Sequence, residues 1–200
     1  MSDMTSLSNI AVFASGTGSN AAKIIAHFKD HASIKVALIV CNNPDAGVLE
    51  IADENNVPSV VIERKRFFDG DGYLAVLKEM EISFIVLAGF LWKIPLSVLD
   101  AYPGRIVNIH PALLPKYGGK GMYGLRVHQA VIDDKEKESG ITIHYVDDKY
   151  DNGDIIFQAR CPVLENDTAV SLAKRVGELE HKHFPEVVEE VVKSSTAKLQ

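Results

Sequence analysis

The stretch "VNIHPALLPKYGGKGMYG", Val107–Gly124, carries an amide and an imidazole two residues apart where an apolar run meets a proline and a loop with four glycines. Side chains alternate along a strand, so Val107 and Ile109 take one face while Asn108 and His110 share the other. Such a pair suits electrostatic and acid–base work. Asn108 is expected to donate to an oxygen that gains negative charge, and His110 to exchange a proton near neutral pH. Further on, "GITIHYVDDKYDNGD" puts Ile141, Ile143 and Tyr145 on one face and Thr142 and His144 on the other. The turn that follows holds Asp147, Asp148, Asp151 and Asp154. A carboxylate from it beside His110 would favour the imidazolium and raise its pKa. Plainer readings stand beside these. A strand-end histidine is often structural, an asparagine near a turn often bonds backbone, and acidic turns are mostly solvated. His144 by itself reads as a packing or supporting residue, with Thr142 as its companion.

No metal is expected. His110, His128 and His144 do not share a ligand spacing on one element. Cys41 and Cys161 are the only cysteines and form no CxxC, and there is no G-x-S-x-G elbow.

A second candidate lies in "SGTGSN", Ser15–Asn20, between an apolar run and a helical pattern. Backbone N–H groups at a helix start favour an anion. With Ala21 the stretch satisfies the loose G-x-G-x-x-A form, but a dinucleotide site also needs an acidic residue ending the second strand. That strand ends in Asn42 and Asn43, with Asp45 beyond a proline. A single phosphate is the expected ligand, with Ser19 and Asn20 adding side-chain donors. The alternative is a tight turn that uses glycine for geometry alone.

The elements that must position these groups follow from periodicity. "IAVFAS" (Ile10–Ser15), "IKVALIVCN" (Ile34–Asn42), "SVVIE" (Ser59–Glu63), "FIVLAG" (Phe84–Gly89) and "RIVNIH" (Arg105–His110) read as buried strands. Ala21, Ile24, Ile25 and Phe28 mark one face of a helix. A short helix is expected over Ala46–Glu54, and another around Tyr73, Leu74, Leu77 and Met80. This alternation predicts an α/β fold with a mostly parallel sheet flanked by helices on both faces. "ITIHYV" (Ile141–Val146) and "DIIFQARCPV" (Asp154–Val163) are joined only by a turn, which predicts an antiparallel hairpin at one edge. A long helix is expected to start with Asp167 as its N-cap, carry Leu172, Val176 and Leu179 inward, and kink or restart at Pro185.

Composition narrows the function classes. The chain has 200 residues, 46% hydrophobic and 24% charged, with a net charge of −6. One domain over 1–200 is expected, with 1–8 a frayed lead-in. The charge argues against nucleic acid. No apolar run is long enough to span a bilayer, and the start lacks the pattern of a signal peptide. Two thiols suit a reducing, cytoplasmic setting. The expected partners are small molecules, with neither nucleic acid nor membrane, and the chain is expected to be a monomer or homodimer.

"NIHPALLPKY", preceded by "VLAGF" and followed by "GITIHYVDDKYDNGDII", resembles the folate-dependent phosphoribosylglycinamide formyltransferases. The resemblance runs from about Ile10 to Val192. It implies a Rossmann-like formyltransferase fold and formyl transfer from the co-substrate 10-formyltetrahydrofolate to the amine of glycinamide ribonucleotide, in purine biosynthesis. It also implies catalytic roles for Asn108, His110 and Asp151, with His110 as imidazolium and Asp151 keeping it charged. Gly18, Ser19 and Asn20 match positions that hold the substrate phosphate. Glu180 matches a carboxylate that holds the amine, although without the resemblance it reads as a solvated helix residue. Leu91, Trp92, Lys93 and Ile94 match the loop around the pterin.

Trp92 and Lys93 depart from better-known members of that family, and "GGKGMYGLRVH" makes the following loop longer. The sugar-nucleotide N-formyltransferases and the formyltetrahydrofolate hydrolases share the catalytic trio and remain as alternatives. A methionyl-tRNA formyltransferase is disfavoured by charge and by the expected lack of a further basic domain. The non-enzyme alternative is a phosphate-ligand binding module.

Overall fold

The computed structural model describes residues 7–197. Seven strands form one sheet in the order β3-β2-β1-β4-β5-β6-β7. They are β1 (Ser8–Ala14), β2 (Ile34–Cys41), β3 (Ser59–Val61), β4 (Ile82–Leu87), β5 (Ile106–His110), β6 (Glu138–Tyr145) and β7 (Ile155–Pro162). The first five pair in parallel, and β6 and β7 add antiparallel to β5. The helices are α1 (Ser19–Phe28), α2 (Val48–Glu54), α3 (Arg64–Asp69), α4 (Leu74–Glu79), α5 (Leu96–Ala101), α6 (Leu125–Asp133) and α7 (Ala169–Ala197).

The near-continuous apolar strands are buried on both sides, as their composition requires. Ile10, Val12 and Ala14 of β1 point into a core shared with α1, α2, α6 and α7, whereas Ala11 and Phe13 point into a second core with α3, α4 and α5. Strand order reverses direction between β1 and β4, so the loops leaving their C-terminal ends diverge and open a crevice. Those loops are tied together: Ser15 N–H donates to the Gly89 carbonyl at 3.1 Å, and Leu91 N–H donates to Ser15 Oγ at 2.9 Å.

Several expectations are corrected. Ser8 belongs to β1 rather than to a lead-in, because its N–H bonds the Ser33 carbonyl at 2.8 Å, and residues 1–6 lie outside the described residues. Thr168, not Asp167, caps α7: its Oγ1 accepts from Ser171 N–H at 3.2 Å. Asp167 instead accepts from Leu164 N–H and grips Arg175 at 2.6 Å. The helix runs through Pro185 without a restart, held by Phe184, Val187 and Val188 buried beside it. Helices α3, α5 and α6 were not foreseen. Each is short, and α6 mixes a buried histidine into its apolar face.

Candidate active site

Asn108 and His110 occupy the C-terminal half of β5, and antiparallel pairing sets Asn108 opposite His144 and His110 opposite Thr142. Paired residues point to one face, so the four polar side chains gather there. Thr142 is a strut. Its hydroxyl donates to the Ala112 carbonyl at 2.7 Å and accepts from Leu114 N–H at 3.0 Å and from Gln158 Nε2 at 2.9 Å, which pins the segment leaving β5.

Asp151 comes from the β6–β7 turn with φ 50°, and it is the one of the four turn aspartates that enters this cluster. The turn is tight: a Cβ on Gly153 would lie 1.9 Å from the Tyr145 carbonyl oxygen, so only glycine fits. Asp151 Oδ2 accepts from Gly119 N–H at 2.9 Å and stands 3.5 Å from His110 Nδ1. His110 Nε2 donates to the Tyr117 carbonyl at 2.7 Å, which leaves Nδ1 as the nitrogen facing the carboxylate.

The pKa expectation for His110 is overturned. The ring is 3% exposed, and burial pushes its pKa below the ordinary value, outweighing the opposing pull of Asp151. Burial acts to raise Asp151, but bonds and charge from His144, His110 and Gly119 together bring it below the usual carboxylate range. The resting pair is therefore a carboxylate beside a neutral imidazole.

Asn108 is held differently from expectation as well. Nδ2 donates to His144 Nε2 at 3.1 Å and to Asp151 Oδ1 at 3.4 Å. Both amide hydrogens are engaged inside the protein, and Oδ1 is the end without a partner among the described residues.

Asn108, His110 and Asp151 line a cavity of about 620 Å³. Thr17 and Asn20 stand in its wall, as do Glu180 of α7 and Lys120, Arg126 and His128 from the segment after β5. Gly18 precedes α1 with φ +79°, and a Cβ there would meet Val48 at 2.8 Å. Among the residues expected to hold phosphate, Asn20 is committed elsewhere: Nδ2 donates to Glu180 Oε2 at 2.8 Å, and Oδ1 is buried without a partner. Burial pushes the Glu180 carboxyl up, against the lowering effect of that bond. Ser19 is exposed and stands outside the cavity wall.

A smaller cleft of about 60 Å³ opens next door, lined by Leu87, Phe90, Trp92, Ile94 and Val146 with Lys93 and Lys149 among them. Leu91 faces the larger cavity instead. Trp92 packs near Phe67, Phe68 and Phe90, and the Arg64 guanidinium lies 5.5 Å from its ring. Asn108 and Asp151 line both spaces. The sequence offered no signal for the Tyr117 carbonyl or the Gly119 N–H, which are backbone groups. Lys120 and Arg126 were legible only as part of the stretch after "LLPKY", and His128 only as a histidine without a ligand spacing.

A family model described as formyl transferase matches residues 8–188. The chain belongs to that family. It is 44% identical over 185 residues to the chloroplastic phosphoribosylglycinamide formyltransferase of Arabidopsis thaliana, covering 90% of this chain and 63% of that relative. It thus spans a little under two thirds of that relative's length. It is 36% identical to the phosphoribosylglycinamide formyltransferase of Bacillus subtilis, covering 93% of this chain and 95% of the other. The crystal structure of phosphoribosylglycinamide formyltransferase from Anaplasma phagocytophilum superposes with a TM-score of 0.85 at 34% identity, covering 94% of this chain and 88% of that one. The formyl transferase fold is thus the α/β sheet with its antiparallel edge described above.

Proposed function

We propose that this chain, as one domain over residues 1–200, transfers the formyl group of 10-formyltetrahydrofolate to the amine of glycinamide ribonucleotide, a step of purine biosynthesis. The observation that carries the reading is the shared wall. A larger cavity and a smaller cleft meet at Asn108 and Asp151, as a reaction between two bound molecules requires. The names of the relatives support the acceptor and the formyl group.

The acceptor suits the larger cavity. Its phosphate takes the backbone around Thr17–Ser19 at the start of α1, where the helix dipole favours an anion, with Lys120 and Arg126 lending positive charge. Its amine takes Glu180 and the free Oδ1 of Asn108. The folate suits the cleft: Phe90, Trp92 and Ile94 offer apolar and aromatic surface to a flat ring. The folate supplies the formyl carbon and the leaving nitrogen.

The chain's own groups then move one proton and stabilise one developing charge. As the amine nitrogen bonds the formyl carbon, the His110 Nδ1–Asp151 Oδ2 pair accepts the amine's proton. The imidazolium so formed is balanced by the adjacent carboxylate. The proton returns to the departing nitrogen when its bond to the formyl carbon breaks. An amide N–H of Asn108 is the donor for the formyl oxygen in the transition state.

The deciding experiment follows tetrahydrofolate release from 10-formyltetrahydrofolate with and without glycinamide ribonucleotide. Release that depends on the ribonucleotide and is lost in Asp151→Asn is the expected result. Equal release without it would make the protein a hydrolase. Release that depends on a sugar-nucleotide amine would reassign the acceptor.

A further inference from the structure

His144 sits opposite Asn108 on the neighbouring strand, 2% exposed, and its ring is fixed at both nitrogens. Nδ1 donates to the Tyr145 carbonyl at 2.7 Å, and a carbonyl only accepts, so that nitrogen carries the hydrogen. In the neutral ring Nε2 is then an acceptor, and it takes one hydrogen of Asn108 Nδ2 at 3.1 Å. Asp151 Oδ1, also an acceptor, takes the other at 3.4 Å. Two acceptors side by side admit one orientation of the Asn108 amide: nitrogen inward, oxygen towards the cavity. That orientation offers the formyl oxygen another oxygen.

A proton on His144 Nε2 reverses the pairing. The imidazolium N–H then confronts the amide N–H of Asn108, and a half-turn about the terminal side-chain bond replaces the clash with an N–H···Oδ1 bond. The same turn swings Nδ2 to the cavity. Asp151 Oδ1 then faces the amide oxygen in place of the amide hydrogen, a repulsion set against its attraction to the new cation 3.7 Å away. We propose that His144 is a positioning residue whose protonation decides whether Asn108 presents an acceptor to the amine or a donor to the formyl oxygen. This rests on the formyl-transfer reading given above.

The groups around His144 define the electrostatics of the switch. Asp151 and Asp147 in the β6–β7 turn favour the cation, as does the Asn108 carbonyl once turned. Lys149 in that turn, Lys93 after β4 and any charge on His110 of β5 oppose it.

The test is made on the full chain by NMR and by single-turnover kinetics. Long-range ¹H–¹⁵N spectra should show His144 protonated on Nδ1 alone in the ligand-free protein at high pH. As pH falls, the Asn108 side-chain amide signals should move in step with Nε2 protonation. In single turnovers with saturating 10-formyltetrahydrofolate, the formyl-transfer rate should contain a component that declines as His144 loses its proton. His144→Leu should lower that rate about 10- to 100-fold, the scale of a misplaced catalytic group. His144→Gln, whose amide offers a donor or an acceptor at any pH, should recover much of the rate and lose the pH component. Asn108 signals that ignore the His144 titration would overturn the proposal, as would a His144 that stays neutral throughout with folate bound. A Gln variant that retains the pH component would do the same. Absence of formyl transfer in the unaltered protein would sink the functional reading instead, while the NMR titration would still decide the amide switch.

Discussion

His110 Nδ1 stands 3.5 Å from Asp151 Oδ2 with no hydrogen between them, while His110 Nε2 is bound to the Tyr117 carbonyl at 2.7 Å. The imidazole is thus anchored by backbone on one side and faces an ionised carboxylate on the other. It is a neutral acceptor whose protonated form is stabilised in place, which suits a group that holds a proton only briefly.

Replacing Asp151 by asparagine removes the charge that pulls the His110 pKa upward, so burial acts with less opposition and that pKa falls further. NMR titration of labelled imidazole should show a downward shift, and turnover should fall about 100-fold or more. An unmoved His110 titration in Asp151→Asn would remove the coupling between the two.

Trp92 is the only tryptophan in the sequence, and it lines the smaller cleft. Its fluorescence should respond to 10-formyltetrahydrofolate or a non-reacting folate and stay unchanged on addition of glycinamide ribonucleotide alone. A response to the ribonucleotide and none to folate would exchange the assignment of the two spaces.

Asn20 and Glu180 form one unit across α1 and α7, joined at 2.8 Å with the other end of the amide buried and unpaired. Glu180→Ala leaves Asn20 unpaired at both ends and removes a contact for the amine. KM for the acceptor should rise about 10-fold or more, from the 1–3 kcal/mol scale of a buried group left unsatisfied. KM for folate should hold steady. A folate effect as large as the acceptor effect would argue for general loosening of the helix pair.

His128 is buried in the cavity wall, with Nδ1 unpaired and a pKa pushed down to about 4, chiefly by burial. In the unfolded chain its pKa is the ordinary 6.5. The unfolded state therefore binds more protons between those values. This group's contribution to stability is fully present above about pH 6.5 and is lost as pH falls towards 4. Urea denaturation at pH 7 and pH 5 should show a loss that is smaller in His128→Gln, by roughly 1–2 kcal/mol after allowance for screening. Equal losses in the two proteins would mean that His128 is solvated in the folded state.

Sequence alone determined the alternation of strands and helices, because burial on both faces of a parallel sheet demands unbroken apolar runs such as Ile34–Cys41. It also determined that Asn108 and His110 share a face, which follows from the two-residue repeat of any strand. Tertiary structure decided the rest. Which turn aspartate reaches His110 depends on a left-handed residue at 151 and a glycine at 153 that no periodicity reveals. The protonation of His110 depends on how much water the fold removes, a balance that residue types leave open in sign. The inward turn of the Asn108 amide exists only because pairing of β5 with β6 sets an imidazole nitrogen beside it, and the turn delivers a carboxylate to the same side. Local pattern encodes which face a side chain takes. The partners met on that face come from distant segments, and only the packed chain brings them there.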